Sequence, residues 1–203
     1  MDGFFHYGQC LWRKIQSLPD VLNRYKNDPQ FCGQVKCLGA LAFIPPQDVT
    51  RVYEDLTASQ FYRDNVELHD LLPYYERTWV GTINFRTGQR GQPLFPVDLW
   101  NCRELTLQKL HVTNNAMEGW HRQFSVRVGA HHPSIWPLIK AFMSEEVLAS
   151  VKIREFVGGL APPKKRCRYA EKADRVYRTV QLYDRLPPLD YLRGIAYNVE
   201  FNV

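Results

Sequence analysis

The chain has 203 residues, 45% of them hydrophobic and 23% charged, and a formal net charge of +5. That length implies one domain, or one domain with a helical extension, able to bury a core, and the composition excludes a wholly disordered polypeptide. The basic balance favours polyanions, nucleic acid first among them.

In chain order, most of the sequence reads as helix. Phe5 to Gln16 has no internal proline, and the Phe4-Phe5 pair before it could end a short strand. Pro19 breaks that pattern. Asp28-Pro29 then supplies an N-cap and a first-turn proline. Phe31, Val35, Leu38 and Leu41 keep helical spacing until Pro45-Pro46. Val49, Val52, Tyr53 and Leu56 mark an amphipathic helix, and Leu68, Leu71, Leu72, Tyr75 and Trp79 mark another, with a kink expected at Pro73. Gly81 to Pro96 reads as a loop because Gly88, Gly91, Pro93 and Pro96 punctuate it.

Helix resumes from Asn115 to Val128, with Met117, Trp120, Phe124 and Val128 on one face. Ser134 can cap a long helix that tolerates Pro137 in its first turn and ends at Gly158-Gly159. Pro162 to Arg168 reads as a basic linker. Ala173, Val176, Tyr177 and Val180 form a further helical face, which Pro187-Pro188 ends, and Asp190 is expected to cap a last short helix. No internal repeat is visible.

Five cysteines, Cys10, Cys32, Cys37, Cys102 and Cys167, make an odd set with no CxxC pair. A disulfide framework is not expected, and a reducing compartment fits better. The longest apolar run, Cys37 to Ile44, is too short to span a bilayer, and Met1-Asp2-Gly3 does not open a signal peptide. The expected location is the nucleus, with the cytoplasm as the alternative, and no membrane partner is expected.

Four groups of residues could carry chemistry. Thr113-Asn114-Asn115-Ala116-Met117-Glu118-Gly119-Trp120-His121 puts a carboxylate in the first turn of a helix, where it is held firmly enough to ligate Mg²⁺. The same residues also read as a capping box from Asn115 to Glu118, with an i,i+4 ion pair to Arg122. His6 and Cys10 lie at i,i+4, and with Cys32 and Cys37 they could be read as zinc ligands. Cysteine in an apolar helix is more often packing, and a lone histidine is more often a hydrogen-bonded structural residue. Lys164, Lys165, Arg166 and Arg168 could contact phosphates or direct nuclear import, or could form a solvated linker. Trp12, Trp79, Trp100, Trp120 and Trp136 could stack on bases, although helical spacing favours the core for most. His131-His132 has no partner at ligand spacing, and Glu145-Glu146 reads as a solvated helix face.

Taken in order, these pieces resemble one family. Phe4-Phe5-His6-Tyr7-x-Gln9-x-Leu11-Trp12-Arg13-Lys14-Ile15-Gln16 is similar to the C-F-F-H-F-x-Q-x-L-W-R-K-I-Q segment of Mutator-like (MULE) transposases. Leu41-Ala42-Phe43-Ile44-Pro45, Tyr75-Glu76-x-Thr78-Trp79-Val80-Gly81, Phe95-Pro96 and Trp100-Asn101 follow in the family's order. Asn114, Asn115, Glu118, Trp120 and His121 stand in the family's T-N-N-x-x-E-G-W-H. His132-Pro133-Ser134-Ile135-Trp136 and Tyr191-Leu192-x-x-Ile195-Ala196 continue the match.

The resemblance implies a mainly α fold. It would comprise the helical insertion and C-terminal helices of a ribonuclease H-like transposase, with most of the central β-sheet absent. Residues 1–22 would be a remnant of the ribonuclease H-like core, 23–112 the helical insertion and 113–160 the helices bearing the third acid. Residues 161–203 would hold the basic linker and the last helices. Three acids bind two Mg²⁺ ions in that family, and Glu118 matches the third. The first two lie upstream of the C-x-x-H segment, just before which this sequence begins. Gly3 replaces that motif's cysteine, although His6 keeps its histidine, and Val112 replaces an arginine before T-N-N. A single carboxylate cannot hold two metals about 4 Å apart.

The expectation is therefore a transposase-derived fragment, inactive alone, that binds DNA non-specifically or assists a complete transposase or a second copy. Mg²⁺ would enter only if missing acids were supplied. The alternatives are a helical protein-interaction adaptor, or a nuclease completed by another chain.

Overall fold

The computed structural model describes residues 3–110, 115–129, 134–160 and 167–199. The protein is mainly helical, with no strand among the described residues. Its contacts divide it into two units, Met1–Thr113 with Glu171–Val203, and Asn114–Ala170. The helices on both sides of position 22 fall in the first unit, together with the last helices.

The first unit opens with α1 (Gly3–Gln16), α2 (Pro19–Asn27) and α3 (Pro29–Ala40). Phe4 and Phe5 lie inside α1 rather than at the end of a strand. Pro19 does more than break a helix. It begins α2, where its missing N–H costs nothing. Asp28 closes α2 through its own N–H, which donates to Arg24 O at 2.8 Å. It also opens α3, its carboxylate accepting from the N–H groups of Gln30 and Phe31, each at 3.0 Å. Phe31, Val35, Leu38 and Leu41 are all fully buried, so the expected periodicity is the core face.

Helix α3 lies at the centre, against α1, α2 and α11 (Pro188–Ala196). Two of its carbonyls, one of them among the last that lack full helical partners, accept from tyrosines. Tyr7 donates to Leu38 O at 2.6 Å and shares a 2.7 Å hydroxyl contact with Tyr75, while Tyr62 donates to Gln34 O at 2.7 Å. Tyr191 of α11 donates to Phe43 O at 2.7 Å, tying the end of the chain to its beginning. Asp190 is not the cap of α11. It stands in the first turn, and Pro187 occupies the cap position.

Beyond α4 (Val49–Thr57) and the single turn α5 (Gln60–Asp64), the Pro73 region is not one kinked helix. A 3₁₀ turn (Val66–Asp70) leads into α6 (Leu71–Tyr75), and a π turn (Glu76–Val80) follows, closed by Gly81 N donating to Glu76 O at 2.6 Å. Pro73, which cannot donate, stands inside α6, between the two changes of hydrogen-bond pitch. Residues 81–96 form the expected loop, but an ordered one, since Ile83 and Arg90 pair as an antiparallel bridge. A 3₁₀ turn (Val97–Leu99) and α7 (Arg103–Leu107) then return the chain to the core through Trp100 and Cys102.

The second unit consists of α8 (Asn115–Val128), α9 (Ile135–Val157) and the start of α10 (Cys167–Val180). Ser134 has the extended backbone of an N-cap but makes no side-chain cap bond. Cys167 and Arg168 belong to α10 rather than to a linker.

Candidate functional site

The motif bearing Glu118 stands in the first turns of α8. Residues 111–114, with Asn114 among them, lie outside the described residues, as do the side chains of Asn115 and Glu118. What is described is the seat of this segment on α9. Trp120 Nε1 donates to Glu145 Oε2 at 2.8 Å. Arg127 forms an ion pair with the other oxygen, Oε1, which accepts no hydrogen bond among the described residues. Trp120 stacks on Phe124 at 5.1 Å, and Phe124 packs on Phe142 of α9 at 4.8 Å. His121 is exposed and meets Trp120 edge-on at 5.0 Å.

Glu145 is therefore not part of a solvated face. Its side chain is 16% exposed and is fixed from α8 by an indole and a guanidinium. Glu146 beside it is exposed. No local pattern announces this, because the partners lie on another helix, Trp120 being 25 residues away in the sequence. Charge-assisted bonds of this sort fix orientation as well as contributing energy. Their effect here is to hold α8, and with it position 118, at a set rotation against α9.

Beyond that seam α9 is bare. Ala141 is its one buried residue among those described, and every residue from Glu146 to Leu160 is exposed. Ile153, Phe156, Val157 and Leu160 follow i, i+3, i+4, i+7 spacing, and Phe142, Met143, Val147, Leu148 and Val151 add further apolar exposure. A helix this apolar on several sides has the composition of one covered by other structure.

The other candidates are not brought together. His6 is exposed on α1, edge-on to Phe5 at 5.6 Å. Cys10 and Cys32 are half-buried, and Cys37 is buried, its Sγ donating to Gly33 O at 3.4 Å. Burial pushes the Cys37 and Cys102 thiols up to about 12. Among the described residues no three His, Cys, Asp or Glu side chains are grouped as metal ligands. Lys164, Lys165 and Arg166 lie outside the described residues, and so does the side chain of Arg168 in the first turn of α10. Of the tryptophans, Trp79 and Trp100 are core, Trp12 packs against Tyr25 at 5.5 Å, and Trp136 is 71% exposed.

The most exposed aromatic among the described residues stands outside these groups. Phe85 is 99% exposed at the tip of the loop closed by the Ile83–Arg90 bridge. Asn84 organises that tip. Its N–H donates to Gln89 O at 2.8 Å, its carbonyl accepts from Thr87 and Gly88, and its side chain accepts from Arg86 N at 2.9 Å. Gly88 takes the left-handed φ of 68° that this turn requires. At the base, Arg90 donates to Glu76 at 2.7 Å, to Glu54 at 2.6 Å and to the Gly81 carbonyl. Gly81 has φ 92°, and a Cβ there would stand 1.9 Å from Gly91 O, so the two sides of the hairpin close only on glycine. Asn84 and Gly88 stand four apart in the sequence, which marks a turn but not the two-residue Asn-Gly signal of a tight hairpin.

Among the described residues no helix is long and apolar enough to cross a membrane. Comparison with protein-family models, curated proteins and solved structures finds no match to this chain.

Proposed function

We propose that this chain is a transposase-derived accessory protein of the Mutator-like kind. It binds DNA through its basic surface, works in the nucleus and does not cut DNA by itself. Glu118 is the third acid of a ribonuclease H-like centre, and Mg²⁺ binds there only when a second chain, such as a complete transposase, brings the other two. The ordered motifs supply the ancestry, and the net charge of +5 supplies the affinity for DNA.

The observation that carries the reading is the α8–α9 pair. The Trp of the E-G-W-H segment locks α8 to Glu145, while the rest of α9 exposes the apolar surface of a helix made to be covered. In a ribonuclease H-like protein the cover is a β-sheet bearing the remaining acids, and here a partner would provide it. The same exposed surface also favours a second reading, a helical adaptor that binds protein and no DNA.

A salt titration of DNA binding separates the two. Retention of a fluorescent duplex by the purified chain should fall steeply and linearly in log–log form between about 50 and 200 mM salt, as phosphate contacts release counterions. No retention at the low-salt end, with a partner captured equally well at both ends, would overturn the DNA reading in favour of the adaptor.

A further inference from the structure

We propose that the Thr82–Gly91 hairpin is a contact for unpaired bases of single-stranded or unstacked DNA. Phe85 stacks on an exposed base, and Arg86 meets an adjoining phosphate. The proposal rests on the DNA-binding reading above and names the form of nucleic acid that this part of the molecule takes.

Three observations lead there. The first is presentation. Phe85 touches nothing that the fold needs, being 99% exposed, yet the turn beneath it is held by the Asn84 hydrogen bonds and anchored by the Arg90 clasp. Because the backbone beneath the ring is already held, the loop need not be ordered on stacking, which lowers the cost of binding. The second is charge. No Asp or Glu occurs between Arg77 and Val97, while two arginines do, Arg86 and Arg90, and Arg86 has no carboxylate partner among the described residues. The third is the surface beside the tip, an open depression of about 410 Å³ lined by Thr82, Asn84, Thr87, Gln89, Arg90 and Gly91. It offers hydroxyls, amides and backbone groups, while the Arg90 guanidinium at its base is taken up by Glu54 and Glu76, which leaves Arg86 as the cation at the tip.

These features favour nucleic acid over a protein partner. An aromatic anchor for protein sits in a desolvated patch ringed by other apolar groups, whereas Phe85 is flanked by Asn84, Arg86 and Thr87. They also favour unpaired bases. Both faces of the ring are open, and a duplex offers base faces only at its ends, whereas a single strand offers one at every nucleotide.

The test uses the full chain and two probes of equal length, a single strand carrying 2-aminopurine and its fully paired duplex, at one salt concentration. Phe85→Ala should weaken single-strand binding about 5- to 100-fold, the loss of one base stack, and leave duplex binding unchanged. Phe85→Trp should restore the affinity and quench the 2-aminopurine emission. Arg86→Ala should reduce the salt slope for the single strand by about one contact. Single-strand affinity unchanged in Phe85→Ala, or lost equally for both probes, would overturn the proposal while leaving DNA binding intact. Failure of the unmodified chain to bind either probe would overturn both this proposal and the DNA-binding reading.

Discussion

Asp28, Arg24 and Glu67 show how far one residue's surroundings reach. Arg24 donates to Glu67, to Asn65 and, at 3.2 Å, to Asp28. The Arg24 hydrogen bond holds the Glu67 carboxyl below its usual range, and the Phe31 N–H, followed by Arg24, does the same for Asp28. A carboxyl depressed in the folded state adds stability above its unfolded pKa and loses it as pH falls through the folded one. Glu67→Gln should therefore lower the Tm at pH 7, and the difference from the unmodified chain should be smaller at about pH 3, below the ordinary carboxylate range. Thermal melts at the two pH values check this, and an equal difference at both would contradict it. Glu145 makes a parallel case in the second unit. Glu145→Ala strands the Trp120 indole donor and the Arg127 guanidinium, which should destabilise the α8–α9 pair by about 1–3 kcal/mol, while Glu145→Gln keeps an acceptor for Trp120 and should cost less. Hydrogen exchange of α8 amides reports on both.

The asymmetry between those residues also shows what the sequence makes legible. Asp28 was readable because an N-cap and its Pro29 are neighbours in the chain, and Phe31, Val35 and Leu38 were readable because a buried helix face repeats every three or four residues. Glu145 was not, because its environment comes from another helix and nothing next to it in sequence differs from a solvated Glu-Glu pair. Phe85 was hidden by its class. Glycine and proline mark a loop but do not say that the loop will close into a hairpin, which depends on Arg90 reaching Glu54 and Glu76 across the fold.

At the scale of elements, α3 and α9 are opposites. Leu38 on α3 is fully buried, and Leu38→Ala should cost about 2–5 kcal/mol through lost transfer energy and the cavity left behind. Phe156 and Val147 on α9 are exposed, so Phe156→Glu or Val147→Glu should change the stability of the chain by no more than about 0.5 kcal/mol. Denaturant unfolding of the three variants makes the comparison. A loss of several kcal/mol at Phe156 would mean that α9 is already covered within this chain. Pattern recognised α9 as a long helix, but only burial could tell that its apolar residues have nothing beneath them. Apolar periodicity runs through Pro73 as it would through one kinked helix, but the stretch is divided into 3₁₀, α and π turns, a change of pitch that periodicity does not show.

For the whole molecule, the two units differ in what holds them. The first closes on itself through α3, α11 and the buried tyrosines around Leu38 O, joining residues more than a hundred positions apart, as Tyr191 does with Phe43. The second rests on one aromatic seam and the Glu145 clasp. Regions with few buried apolar contacts open at lower free energy. Amides of α9 beyond Glu146 should therefore exchange fastest and those of α3 slowest, and the reverse order would contradict this division of stability. Net charge and length indicated a folded, basic protein, but which segments share a core depended on long-range contacts that a single sequence does not display.

The most direct test of the proposed role is strand cleavage. Supercoiled plasmid incubated in Mg²⁺ with the purified 203-residue chain should remain supercoiled, with and without Glu118→Ala. Conversion to nicked circles by the unmodified chain, lost on Glu118→Ala, would mean that this polypeptide completes a metal centre by itself, and the account of an accessory protein would fail.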